Sequence, residues 1–162
     1  MSQGKIQIFC GHGKGKTTAA LGQAVRGANA GKSIMIIQFL KGKMPESIEF
    51  LKRMEPEIQV FCFEKLAEPF EKLTKEQKEE EIQNIKNGLN FAKKVLSTGG
   101  CDLLILDEAL GLLDKEIVSV EELRTVVLAK SEDMELILTG IELKEELLSF
   151  ADEVYQITRI KP

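Results

Sequence analysis

The chain has 162 residues, 43% of them apolar and 30% charged, the balance of an ordinary folded protein large enough to bury a core without disulfides or a structural metal. Its 22 Lys and Arg against 26 Asp and Glu leave a net charge of -4, which repels a nucleic-acid backbone, and no apolar run approaches the ~18 residues that cross a bilayer. Neither nucleic acid nor membrane is expected as a partner. With no apolar stretch of signal-peptide length near the N-terminus, a cytoplasmic location is expected.

Lys5 to Cys10 (KIQIFC) moves from alternation to an apolar run and stops at a glycine cluster, which predicts a first strand. Lys16 to Ala30 follows as an alanine-rich helix carrying Leu21 and Val25 at a spacing of four and ending near Gly31. Ser33 to Leu40 (SIMIIQFL) is apolar with almost no alternation, the pattern of a strand buried on both faces. Pro45 to Met54 predicts a short helix and Ile58 to Phe63 a third strand.

Thr74 to Ser97 is the longest helical pattern. It opens with a capping-box signature, Thr74 with Gln77, and places Ile82, Ile85, Leu89, Ala92 and Leu96 at spacings of three and four. Its charge run KEQKEEE is read as a solvated helix face. After the Gly99-Gly100 turn, Leu103 to Leu106 predicts a strand that ends in the acid pair Asp107-Glu108. Ser119 and Glu122 mark a further capped helix to about Lys130, Leu136 to Leu138 a strand, Lys144 to Phe150 a last helix and Val154 to Thr158 a last strand.

Strands alternating with helices predict an α/β fold: three layers, with a mostly parallel central sheet between helices. No repeat, low-complexity segment or linker interrupts the chain, so one nucleotide-binding domain over residues 1–162 is expected. Cys10, Cys62 and Cys101 are an odd number without CxxC spacing, and each lies beside a strand-like segment, so they are read as small buried thiols. The one histidine, His12, leaves almost no material for a zinc site.

Chemistry concentrates between the first strand and the first helix, in Gly11-His12-Gly13-Lys14-Gly15-Lys16-Thr17-Thr18. Glycines at 11, 13 and 15 open backbone angles closed to other residues and let successive N–H groups approach phosphate oxygens. The start of the helix adds a positive dipole, the Lys16 ammonium neutralises phosphate charge, and Thr17 offers a hydroxyl to Mg²⁺. A strict Walker A pattern has glycine at position 10, where this chain has Cys10. LLILDE (Leu103 to Glu108) has the form of a Walker B strand, whose carboxylates hold Mg²⁺ directly or through water. A P-loop NTPase-like (RecA-like) fold binding ATP and Mg²⁺ is the expectation.

These residues resemble the P-loop-type ATP:corrinoid adenosyltransferases. The similarity lies in the loop variant GHGKGKTT, the helix TTAALGQAVRGANAGK, the strand and loop QFLKG (Gln38 to Gly42), LLILDE, the Thr139-Gly140 pair, and Ala151-Asp152 with Val154, and so covers nearly the whole chain. The resemblance implies transfer of the 5′-deoxyadenosyl group of ATP to the reduced cobalt of a corrinoid, with release of triphosphate. It also implies a corrinoid substrate, a homodimer and a reductase supplying reduced cobalt. By matching positions, Gly11 to Thr18 cradle the triphosphate, Lys16 neutralises it, Thr17 and Glu108 hold Mg²⁺, and Asp107 acts behind them or through water.

The chain departs from the family pattern at several places. His12 stands at an Asn or Asp position, Cys62-Phe63-Glu64-Lys65 where the family reads G-F-T-W, and Ile141 at an arginine position. The family pattern also runs on beyond the Arg159-Ile160-Lys161-Pro162 segment into a tail with a His-Pro pair. Two other readings stay open at the level of sequence: a degenerate paralogue that keeps the ATP site as a regulatory module, and a different small P-loop kinase or ATPase.

Overall fold

In the computed structural model, which describes residues 3–41 and 50–162, the strands are short and apolar and all run the same way. They are β1 (Ile6–Cys10), β2 (Ile34–Gln38), β3 (Ile58–Cys62), β4 (Leu103–Asp107), β5 (Glu135–Thr139) and β6 (Glu153–Gln156). Their order across the sheet is β3-β2-β4-β5-β1-β6, and every neighbouring pair is parallel. β4 is buried at all five positions, as expected of a strand covered on both faces.

Alternate strand residues feed two cores. Ile8, Leu104, Leu106, Leu136 and Leu138 pack with Ile85, Leu89, Ala92 and Leu96 of the long helix α2 (Lys75–Thr98) and with Leu123 and Val127 of α4 (Val120–Leu128). Phe9, Ile34, Ile36, Leu103, Ile105 and Ile137 pack on the opposite face with Ala20 and Ala24 of α1 (Lys16–Asn29). Helix, sheet and helix therefore form three layers.

Helix α1 touches the sheet differently from expectation. Its buried residues are Ala20 and Ala24, while Leu21 is only partly covered and Val25 is 43% exposed. Small side chains bring the helix backbone close to the sheet, which holds its first turn beside the ends of β1 and β4.

Helix α2 starts as its capping box predicts. The Gln77 N–H donates to Thr74 Oγ1 at 3.1 Å and the Thr74 N–H donates to Gln77 Oε1 at 3.0 Å. It ends at Gly99 with φ 66°, the left-handed cap that glycine supplies without strain. The charge run at its start is solvated with one exception. Glu81 is 2% exposed, and its carboxylate accepts from the Lys65 N–H at 3.1 Å and from Asn84 Nδ2 at 2.9 Å. A buried acid thus pins the segment after β3 to the helix, and that position is not part of a solvated face.

Two further expectations change. Lys144 to Phe150 is a 3-10 helix over Glu145–Ser149, with only Leu147 buried, because so short a segment with a single apolar anchor cannot offset the cost of an α-helical nucleus. Of the helix expected over Pro45 to Met54, residues 45–49 lie outside the described residues, and Phe50–Met54 forms a 3-10 turn. A four-residue helix, α3 (Gly111–Asp114), directly follows the acid pair. Cys10 and Cys101 are buried free thiols, as expected, whereas Cys62 is only partly covered.

Candidate functional site

The sheet register aligns the chemistry in one row. Phe9 pairs with Thr139, and Gln38 pairs with Asp107, so the carboxyl ends of β1, β5, β4 and β2 lie side by side. Crevices at this end of an open parallel sheet are where ligands bind in such folds.

The loop Gly11 to Gly15 leaves β1 and enters α1. Gly11 has φ 112° and Gly15 φ 108°, a region that side-chain-bearing residues rarely enter. The Gly11 N–H donates to the Ile141 carbonyl at 2.9 Å and the Gly13 N–H to the Ile157 carbonyl at 3.0 Å. A Cβ on Gly11 would lie 2.3 Å from the Ile157 oxygen and one on Gly13 2.8 Å from it. These two glycines are therefore required by the segment after β6, and their N–H groups are bonded to it and to the turn after β5. Gly15 has open space around it and is the N-cap of α1 with no side-chain cap, which leaves the first N–H groups of that helix directed at the loop without a capping side chain.

Lys16 reaches back across the loop, its ammonium donating to the Gly13 carbonyl at 2.9 Å. His12, Lys14 and Thr18 are exposed. His12 Nε2 lies 3.0 Å from Glu142 Oε1, on the turn after β5 that also carries Ile141. His12, Gly13 and Lys14 line a cleft of about 470 Å³ with Thr158 and Arg159, so the C-terminal segment forms one wall beside the loop.

Asp107 is the hub of the site. It is 1% exposed, and its carboxylate accepts from the Thr17 hydroxyl at 2.9 Å, the Thr139 hydroxyl at 2.7 Å and Gln38 Nε2 at 3.1 Å. The structure thus joins Thr17 directly to Asp107, so the first helical turn and the end of β4 are one hydrogen-bonded unit. Thr139 Oγ1 in turn accepts from the Glu108 N–H at 2.8 Å, fixing the backbone where Glu108 takes φ 63°. Leu40, at the end of β2, has φ 61°. A second non-glycine residue in the left-handed region at this end of the sheet is the kind of stored strain that gathers at binding sites.

The Glu108 carboxyl is held above its ordinary range, chiefly by burial, with Asp107 and Asp114 adding to the effect and Lys41 and Lys16 opposing it. A group whose folded-state affinity for a proton is raised adds stability below the unfolded carboxylate range and loses it as pH rises through its folded value. Glu108→Gln, neutral at every pH, is therefore expected to raise the thermal midpoint of the nucleotide-free protein at about pH 7, with the gain shrinking as pH falls toward about 4. Scanning fluorimetry across that range checks this; a gain independent of pH would contradict it.

Gln38 and Thr139 belong to the site although sequence reasoning assigned them no role there. The signal was a polar residue at the last position of an otherwise apolar strand, which is weak without knowing which strands are neighbours.

A family profile for ATP:corrinoid adenosyltransferase BtuR/CobO/CobP matches residues 2–162. The chain belongs to this family. It is 30% identical over 159 residues to the corrinoid adenosyltransferase of Escherichia coli strain K12 and equally to corrinoid adenosyltransferase CobA of Salmonella typhimurium strain LT2. Each match covers 98% of this chain and 79% of the relative. A corrinoid adenosyltransferase of Pseudomonas aeruginosa is 22% identical over 98% of the chain and 77% of its own length. Among solved structures, the KaiC-like protein PH0186 of Pyrococcus horikoshii OT3 superposes with a TM-score of 0.63 at 17% identity, covering 96% of this chain and 72% of that one. This likeness concerns the fold, which is P-loop NTPase-like (RecA-like), with the parallel sheet and three layers expected.

Proposed function

We propose that this family member transfers the 5′-deoxyadenosyl group of ATP to the reduced cobalt of a corrinoid. The reduced cobalt supplies the electron pair that forms a cobalt-carbon bond at C5′, the C5′–O bond breaks, and triphosphate leaves with the pair of that broken bond. Because the metal centre of the substrate is the nucleophile, no protein base is needed, and a site without a clustered histidine suits the reaction. The protein's task is to hold C5′ in line and to stabilise the charge on the leaving group.

The observation that carries this reading is the loop cradle joined to Asp107 in a chain that matches the family from end to end. The uncapped N–H groups at the start of α1 and the Lys16 ammonium, which donates to the Gly13 carbonyl in the free protein, would bind the triphosphate. Gly11, His12, Gly13, Lys14, Gly15 and Thr18 complete the cradle, with Lys16, Thr17 and Glu108 the residues on which the reaction depends.

Mg²⁺ fits the donor set. Thr17, Asp107 and Glu108 offer hard oxygen atoms, and the buried Gln38 Oε1 has no partner among the described residues. Among those residues no group of three or more His, Cys, Asp or Glu side chains is placed to hold a metal, so the nucleotide phosphates would complete the coordination. Thr17 with Glu108 would hold the ion, Asp107 acting through Thr17 or through water; when bound, the ion neutralises charge on the triphosphate. No helix among the described residues is long and apolar enough to cross a membrane. The same reading extends to one nucleotide-binding domain over residues 1–162, a cytoplasmic location, a homodimer and a separate reductase that supplies the reduced cobalt.

The test is to mix the protein with ATP, Mg²⁺ and chemically reduced corrinoid without oxygen and to follow the cobalt-carbon product by its absorbance. Product formation at a rate proportional to protein is expected. ATP binding without product would favour a nucleotide-binding regulatory module, and phosphate release without corrinoid would favour an ATPase.

A further inference from the structure

Gln38 closes β2 and is 2% exposed, its backbone paired in register with Asp107. Asp107 as a carboxylate can only accept, so the Gln38 amide must turn its NH₂ toward Oδ2, as the 3.1 Å bond requires, and its carbonyl oxygen the other way. That oxygen is buried and has no hydrogen-bond partner among the described residues. Leaving a buried acceptor without a donor is destabilising, so the position calls for a partner. The two hydroxyls that share Asp107 with Gln38 are already committed, the single protons of Thr17 and Thr139 both going to that carboxylate.

We propose that Gln38 is a positioning residue for the divalent cation, its carbonyl oxygen accepting a hydrogen bond from a cation-bound water while its NH₂ fixes Asp107. The inference rests on the ATP and Mg²⁺ reading of the site. Mg²⁺ surrenders its waters reluctantly and is usually bound with several of them retained, and water on a cation is a stronger donor than bulk water. A buried acceptor one amide away from Asp107, where β2 and β4 end side by side, suits such a donor. Groups that orient a metal's immediate ligands commonly govern affinity for the metal by 10–100-fold.

The experiment measures ATP affinity calorimetrically in EDTA and in stepped Mg²⁺, with Mn²⁺ bound to the ATP complex counted by paramagnetic resonance, for wild type, Gln38→Met and Gln38→Glu. Methionine keeps the length and removes both donor and acceptor. It is expected to bind ATP in EDTA within about twofold of wild type, and to lose about tenfold of the enhancement that Mg²⁺ confers. Glutamate keeps an oxygen acceptor, removes the donor to Asp107 and sets a like charge beside it. It is expected to retain the metal enhancement.

The variants separate the two roles. If Gln38 merely held Asp107, Gln38→Glu would be at least as damaging as Gln38→Met, and that result would overturn the proposal. So would a Gln38→Met protein that loses affinity equally with and without metal, or one that loses none. Should Gln38→Met not fold, Gln38→Glu decides alone, retention of the enhancement supporting the proposal and its loss refuting it. A wild-type protein whose ATP affinity ignores Mg²⁺ would instead sink the metal reading itself.

Discussion

Asp107→Ala is expected to lower stability by roughly 3–5 kcal/mol, because truncation strands three side-chain donors, two of them, on Gln38 and Thr139, fully buried. The Thr17 and Thr139 hydroxyls and the Gln38 amide all converge on this one carboxylate, which is 1% exposed. For a chain of this length each kcal/mol moves the thermal midpoint by about 2–4 °C, so a fall of about 6–20 °C should be visible by calorimetry. Adenosyl transfer should drop by about 100-fold or more, since Thr17 loses the group that orients its hydroxyl. Asp107→Asn separates the two effects: the amide keeps the shape and one acceptor, so stability should suffer less while activity stays low. An alanine variant that melts within a few degrees of wild type would show that these bonds contribute little to the fold.

The second large effect is expected at Lys16. In the nucleotide-free protein its ammonium donates to the Gly13 carbonyl and to no other group among the described residues, so Lys16→Ala should leave the melting profile nearly unchanged. Against a triphosphate the same ammonium makes charge-assisted bonds worth about 1.5–3 kcal/mol each, and losing them should weaken ATP binding by about 100-fold. Titration calorimetry with ATP and Mg²⁺ checks this. A change smaller than about fivefold in a folded variant would mean that the loop does not grip phosphate. Lys16→Arg is not expected to restore affinity, because a planar guanidinium cannot occupy the space of a compact ammonium curled over the loop.

Lys16 and Asp107 differ in how they could be recognised. Lys16 lies in a continuous motif between a strand and a helix, and eight successive residues announce a phosphate cradle wherever the rest of the chain goes. Asp107 was legible as one of two acids ending an apolar strand, and sequence ranked Glu108 before it as the direct metal ligand. In the structure Asp107 is the residue bonded to Thr17, while Glu108 follows the strand with a left-handed backbone and its N–H on Thr139. Neighbouring residues on a strand point to opposite faces, so the choice between them depends on which face α1 covers.

The glycines show a related limit. Three alternating glycines signalled a loop open to phosphate, and Gly15 fits that account, with open space around it and an uncapped helix start behind it. Gly11 and Gly13 are also demanded by the Ile157 carbonyl, 144 or more residues away in the chain, at distances no Cβ could tolerate. Glu81 shows the same limit in reverse: within a solvated charge run it looks like its neighbours, yet it is buried as the anchor of Lys65.

By itself the sequence determined what local chemistry and period can determine: six short strands at nearly the expected places, the capped helix from Thr74, the parallel three-layer class and a glycine-rich loop between the first strand and the first helix. These follow from neighbours within a few residues, where spacing alone sets which side chains share a face. Only the tertiary structure decided that β5 lies between β1 and β4, and hence that Thr139 and Gln38 converge on Asp107 and that Thr17 closes the set. Sheet order arises from crossovers that bring residues 32, 69 and 90 positions apart within hydrogen-bond distance. No local pattern encodes such a meeting, because its stabilising energy appears only when the strands have packed.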